Sequence, residues 1–252
     1  MAKVIGIAGK IGSGKGYFAS NLIAEYKNDG KSVAYTAYAD PLKDVLERFF
    51  GLKKTGFALF DPRDYEGDGY ANTKASLQKG LWSWQKKIVD WDSLTMAAQG
   101  AEKLEFKRRF SSLWLEYGDR LVGLLRKINA DNYDDTFRQI IQLVGTEFGR
   151  GINDKFWILA TFAKVKAAVD GGFDVVVIDD VRFPNEKTDL EAFCQVAGYE
   201  CEVWGITAPD EVRAKRRNMT VEEMLIYDQH GSERFIDEII GALPKERVII
   251  NG

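Results

Sequence analysis

The 252-residue sequence predicts an α/β fold of three layers, with a parallel sheet and a largely helical insertion. Three observations carry this prediction. A short apolar run, Lys3 to Ala8, leads through a glycine-rich turn into a helical pattern. Val175-Val176-Val177-Ile178 is an unbroken β-branched stretch, as expected of a strand buried on both faces of a parallel sheet. Strand-like and helix-like segments alternate at both ends of the chain, and residues 51–135 interrupt the alternation.

The first strand gives way to glycines at 9, 12 and 14. From Lys15, Phe18, Leu22, Ile23 and Tyr26 recur at spacings of three and four, which predicts a helix closed by Asn28-Asp29-Gly30. Val33 to Tyr38 reads as a second strand ending at Asp40-Pro41. The proline suits the first turn of the next helix, whose face is Leu42, Val45, Leu46 and Phe49. Residues 51–135 hold Trp82, Trp84, Trp91 and Trp114, a turn-rich stretch from Phe60 to Tyr70, and amphipathic pieces near 96–128. They are read as an insertion into a core made of 1–50 and 136–252. Helical periodicity returns in Phe137–Val144 and in Phe156–Val169, the latter closed by Gly171-Gly172. Val175–Asp180, Glu202–Ile206 and Val248–Ile250 read as the remaining strands, with helices between them.

Composition excludes several classes. With 45% hydrophobic and 29% charged residues, the chain is neither a disordered tail nor a fibrous repeat. Its 35 basic and 38 acidic residues sum to −3, a poor balance for coating nucleic acid. Cys194 and Cys201 cannot build a disulfide scaffold, and the single histidine, His230, excludes sites that need two imidazoles. No apolar run reaches the length of a membrane span, and the N-terminus lacks a signal-peptide pattern. A cytoplasmic protein without nucleic-acid or membrane partners is expected, with a homodimer left open.

The sharpest motif is Gly9-Lys10-Ile11-Gly12-Ser13-Gly14-Lys15, placed between a strand and a helix. This is the G-x-x-x-x-G-K spacing of a phosphate-binding loop. Glycines let backbone N–H groups curl toward phosphate oxygens, and the helix N-terminus adds partial positive charge. Gly9, Lys10, Gly12, Ser13, Gly14, Lys15, Gly16 and Tyr17 are therefore the candidate nucleotide-phosphate-binding residues, with Lys15 reaching the outer phosphates. Gly16 stands where the motif usually carries Ser or Thr for magnesium, so Mg²⁺ is assigned to Ser13, water, or carboxylates elsewhere. Asp179 and Asp180, closing an apolar strand, are the candidate carboxylates.

Arg182 follows at the carboxyl edge of the sheet, where its planar fork could grip a phosphate; a salt bridge to Asp179 or Glu186 is the plain alternative. Asp40 is either a base or positioning group near an acceptor, with Lys43 one turn on, or a helix N-cap. Arg213, Arg216 and Arg217 fall on one helix, either as lid cations for a transferring phosphoryl group or as a solvated basic face. His230 is read as closing a turn and capping the next helix, and the tryptophans as core.

In this order, Gly9–Lys15, Ala39-Asp40-Pro41-Leu42-Lys43, Arg63-Asp64-Tyr65-Glu66-Gly67, Gln142-Leu143-Val144-Gly145-Thr146-Glu147 with Arg150, Asp179 through Glu186, and His230-Gly231-Ser232-Glu233 resemble the phage-type deoxynucleoside monophosphate kinases. The resemblance implies a P-loop kinase fold that uses ATP and Mg²⁺ to phosphorylate a deoxynucleoside 5′-monophosphate. It implies Lys15, Asp40, Arg182, Arg213 and Arg217 as catalytic groups. It also implies Asp40, Lys43, Arg63, Tyr65, Arg138, Gln142, Thr146, Glu147, Arg150, Asp180 and Arg182 around the acceptor, and Ser13, Asp179 and Asp180 near the metal. The rival readings are an adenylate kinase-like or dephospho-coenzyme A kinase-like enzyme, and a nucleotide-binding module without catalysis.

Overall fold

The computed structural model describes residues 1–53, 56–57, 69–89, 93–129, 131–229 and 233–252. The chain divides into two units, Met1–Tyr38 with Thr161–Gly252, and Ala39–Ala160. In chain order the first unit opens with β1 (Lys3–Ala8), α1 (Lys15–Asn28) and β2 (Val33–Thr36). The second holds α2 (Asp40–Phe50), a hairpin of β3 (Leu52–Lys53) and β4 (Gly56–Phe57), α3 (Gly69–Ile88), α4 (Met96–Lys127) and α5 (Tyr133–Gln142). A π-helical segment, Leu143–Arg150, continues α5, and α6 (Phe156–Asp170) starts in the second unit and ends in the first. The first unit resumes with β5 (Val175–Val181), α7 (Pro184–Ala197), β6 (Glu200–Thr207), α8 (Asp210–Arg217), α9 (Val221–Asp228), α10 (Ile236–Gly241) and β7 (Val248–Ile250).

The five strands of the first unit form one sheet in the order β2-β5-β1-β6-β7, every neighbouring pair parallel. The fold is thus α/β with a parallel sheet, as predicted. Period-two alternation decides the two faces. Ile5, Ile7, Val175, Val177 and Ile206 meet Ala19, Phe18 and Leu22 of α1 on one side. On the other, Leu190 of α7 lies where a Cβ on Gly6 would be 3.1 Å away, so glycine there lets helix and strand approach closely. Each fully buried Ile or Val contributes roughly 1.5–3 kcal/mol by leaving water.

The loop after β1 leads to α1 on one face, and the loop after β5 leads to α7 on the other. Adjacent parallel strands whose connections diverge in this way leave a crevice at their carboxyl ends, the usual ligand position in α/β sheets. One irregularity sits there. Gly6 pairs with Ile178 but Ala8 pairs with Val181, so β5 carries an extra residue at Asp179-Asp180. This bulge breaks the alternation where the two acids lie.

Among the described residues, the regular structure of the second unit is helical apart from its hairpin. Its core includes Trp84, Phe106, Phe110, Trp114 and Phe148, so these tryptophans are core residues, as read from the sequence. Residues 39–50 and 136–160, expected in the nucleotide core, fall in this unit. The reason is packing: Leu42, Val45, Leu46, Ile140, Val144 and Phe156 share one apolar cluster with residues of α3 and α4. Among the described residues, no helix is long and apolar enough to cross a membrane.

Candidate functional site

Glycine chemistry shapes the loop after β1. Gly12 and Gly14 take left-handed backbone angles, φ 79° and 94°, which L side chains rarely adopt. Ser13 N–H donates to the Lys10 carbonyl at 3.1 Å, closing a tight turn inside the loop. α1 then begins at Lys15 with Gly14 at its cap and no side-chain cap, leaving its first N–H groups directed at the loop.

Lys15 curls back over this turn and donates to the carbonyls of Gly9, at 2.5 Å, and Lys10, at 3.0 Å. Burial pushes its ammonium pKa down to about 8, and the nearby Arg182 cation pushes the same way; Glu233, Asp179 and Asp180 pull it back up. Ser13 is fully buried, and its hydroxyl has no hydrogen-bond partner. A buried hydroxyl in this tight turn is a hard oxygen that can donate to, or ligate, a polar group.

The strand-end acids have different tasks. Asp180 is buried, and its Oδ1 accepts the backbone N–H of Tyr38 at 2.5 Å, tying the end of β2 to β5. Asp179 is the more exposed of the two. Glu186 accepts the backbone N–H groups of Arg182 at 2.7 Å and Phe183 at 3.1 Å, fixing the turn into α7. The Arg182 side chain pairs with Glu233, 2.7 Å from Nη1.

One expected role is corrected by the contacts. Arg213 does not project from a lid. It is 2% exposed, and it donates to Ile11 O at 2.9 Å, to both carboxylate oxygens of Asp228, and to Asp210 at 2.8 Å. The ammonium of Lys10 pairs with Asp237 at 2.6 Å and Asp228 at 3.3 Å, while its carbonyl accepts Ser13 N–H and the Lys15 ammonium. Arg216 instead reaches the loop, 3.3 Å from Gly12 O, beside Asn251, whose amide donates to Ser13 O at 3.0 Å. Arg217 and Tyr17 are exposed.

In the second unit, Asp40 is the first residue of α2 and pairs with Lys43 at 3.2 Å; Ala39 holds the N-cap position, so Asp40 is not the cap. Arg138, Gln142, Thr146 and Arg150 recur every four residues through α5 and the π-helical segment. In a continuous α-helix such a series would drift around the axis. The wider π turn, with roughly 4.4 residues, reverses the drift and keeps the four on one polar stripe. Leu143, Val144, Phe148 and the two segment glycines are buried. The indole of Trp157 donates to Gly145 O at 2.7 Å, and a Cβ on Gly149 would collide with that ring. Glu147 lies beside Tyr117, whose hydroxyl is pushed up to about 12 chiefly by its hydrogen bond to Glu116, with Glu147 adding to it. Arg63, Tyr65 and His230 lie outside the described residues.

Sequence reasoning missed Glu233 and Asn251 as neighbours of the loop, since only the fold brings them there. The signal for Glu233 was its place in His230-Gly231-Ser232-Glu233, read there only as part of a motif.

No protein-family model matches the chain. A protein of Escherichia phage T5 named deoxynucleoside-5′-monophosphate kinase is 28% identical over 197 residues, covering 74% of this chain and 70% of the phage protein. That likeness supports a kinase. With a glycine loop after β1, an acid pair at the end of β5 and this relative, the chain resembles the phage-type deoxynucleoside monophosphate kinases over most of its length, as the ordered motifs imply.

Proposed function

We propose that this protein transfers the γ-phosphoryl group of ATP to deoxynucleoside 5′-monophosphates. The observation that carries the reading is the Gly9–Lys15 loop, whose left-handed glycines and curled Lys15 make a cationic nest at the start of α1. In this reading a phosphate oxygen of the acceptor attacks the γ phosphorus in line. The bond to the β–γ bridging oxygen breaks, and ADP and a deoxynucleoside diphosphate leave.

The loop amides not already engaged, with Lys15, hold the outer phosphates and stabilise the charge that builds on them. Arg182 stabilises the phosphoryl group or the acceptor phosphate, and Arg217 on α8 remains the lid cation. The stripe Arg138, Gln142, Thr146 and Arg150 takes the acceptor, with Asp40 and Lys43 as further acceptor groups.

Mg²⁺ fits the residues present. The orphaned Ser13 hydroxyl and the acids of the β5 bulge are hard oxygen donors, and magnesium takes one or two carboxylates together with phosphate oxygens. When bound it would neutralise charge on the β and γ oxygens. Asp179 is the better ligand candidate, because one oxygen of Asp180 is committed to Tyr38.

Incubation with γ-labelled ATP and a panel of nucleoside and deoxynucleoside monophosphates together with dephospho-coenzyme A tests the reading. Label on deoxynucleoside diphosphates supports it. Label on coenzyme A only, or on adenosine diphosphate only, supports the rival kinases, and nucleotide binding without any product supports a non-catalytic module.

A further inference from the structure

Three segments that leave the carboxyl ends of the sheet or precede α10 meet on one carboxylate. Glu233 is buried. Its Oε2 accepts the backbone N–H of Ile11, in the phosphate loop after β1, at 2.8 Å. Its Oε1 accepts Nη1 of Arg182, the first residue after β5, at 2.7 Å. The same two segments also meet at the rings of Phe183, one residue past Arg182, and Phe235, two past Glu233, which lie 6.0 Å apart. β1 and β5 are neighbours in the sheet, so Glu233 bridges the two loops that flank the crevice at their ends.

We infer that Glu233 is a positioning residue: it fixes the Arg182 guanidinium relative to the phosphate loop by bonding both at once. This rests on the kinase reading for its catalytic consequence, though the positioning itself is a property of the fold. The chemistry requires a carboxylate. Two acceptor oxygens on one rigid group can take a backbone N–H and a charged N–H together, and the charge-assisted bond is the stronger. A glutamine offers one oxygen and an NH₂ group that repels either donor, so one bond is lost. An arginine about a third exposed that has lost this ion pair is held less closely to the loop, and small misplacements of a charge-stabilising group cost rate steeply.

The test uses the full-length protein and the variants Glu233→Gln, Glu233→Asp, Arg182→Ala and the double Glu233→Gln/Arg182→Ala. In NMR spectra, the Arg182 guanidinium protons exchange slowly in the wild type and fast in Glu233→Gln, with most other amides unmoved. In the transfer assay, Glu233→Gln lowers kcat roughly ten- to hundredfold with ATP affinity nearly unchanged. Glu233→Asp, which keeps the charge, recovers part of that loss. The double variant is no slower than Arg182→Ala alone, because Glu233 acts through Arg182. Unchanged Arg182 exchange in Glu233→Gln overturns the inference, as do fully additive losses in the double variant. A wild type that phosphorylates no monophosphate overturns the kinase reading instead, and the exchange measurement then decides the positioning alone.

Discussion

Arg213 and Asp228 form a buried two-bond pair, with Nη1 and Nη2 at 2.9 and 2.5 Å from the two carboxylate oxygens, while Nε of the same guanidinium donates to Ile11 O. The pair joins α8 and α9 to the phosphate loop. Its burial makes it a brace, and a mobile lid cation would need the opposite. Arg213→Ala strands the Asp228 carboxylate, for which the expected cost is about 3 kcal/mol, the low end for broken buried pairs because Lys10 stays nearby. Urea unfolding measures this. Full stability with lost turnover would return Arg213 to a role in transfer.

Gly14 and Gly16 separate backbone need from open space. A Cβ on Gly14 would run into the Asn251 amide at a φ of 94°, so Gly14→Ala destabilises by more than about 1 kcal/mol. A Cβ on Gly16 meets nothing within 4 Å, and Gly16→Ser leaves stability within about 0.5 kcal/mol. The added hydroxyl also stands where phosphate loops usually carry one, so the variant needs less Mg²⁺ for half-maximal transfer. Thermal unfolding and a magnesium titration read the two effects.

Lys15 links nucleotide binding to pH. Its pKa lies near 8 in the fold against 10.5 in the free residue, so between these values the unfolded chain binds more protons and stability rises with pH. A triphosphate beside the ammonium favours the charged form and pulls the pKa back up. Binding of ATP at pH 8.5 therefore takes up part of a proton, and binding at pH 6.5 takes up none. Calorimetry in buffers of different ionisation heat shows the difference. Equal heats in all buffers at pH 8.5 would contradict it.

Acid stability has an identifiable contributor away from the loop. Glu202 bonds Arg247 and pairs with Lys3 at 2.8 Å. Its pKa falls to about 2, first through Arg247, against an opposing effect of burial, with help from Lys3 and Trp204. A carboxylate lowered in the fold stabilises above its unfolded pKa of 4.5, and the gain is lost as pH falls from there toward 2. Glu202→Gln accordingly flattens the stability profile over that window in acid titrations followed by circular dichroism.

Local patterns were legible. The phosphate loop, α1, β5 and the strand–helix alternation rest on residues within a few positions of one another, and their spacing is dictated by helical and strand periods. What escaped reading depends on distant partners. Arg213 looked like a surface cation because its acceptors, Ile11 and Asp228, lie 202 and 15 residues away. The helical period read in Phe137–Val144 gave no sign of the π geometry over Leu143–Arg150, where Trp157, twelve residues beyond Gly145, donates to its carbonyl. The bulge at Asp179-Asp180 left no trace either, since one extra residue in an acidic strand end is visible only against its partner β1.

The most direct test of the central claim is the rate at which Lys15→Ala moves labelled phosphoryl from ATP to a deoxynucleoside monophosphate accepted by the wild type. The variant should unfold at or above the wild-type denaturant concentration, since it removes a partly desolvated cation, and transfer should fall at least about a hundredfold. A folded Lys15→Ala protein that turns over at the wild-type rate would contradict the assignment of the loop to phosphoryl transfer.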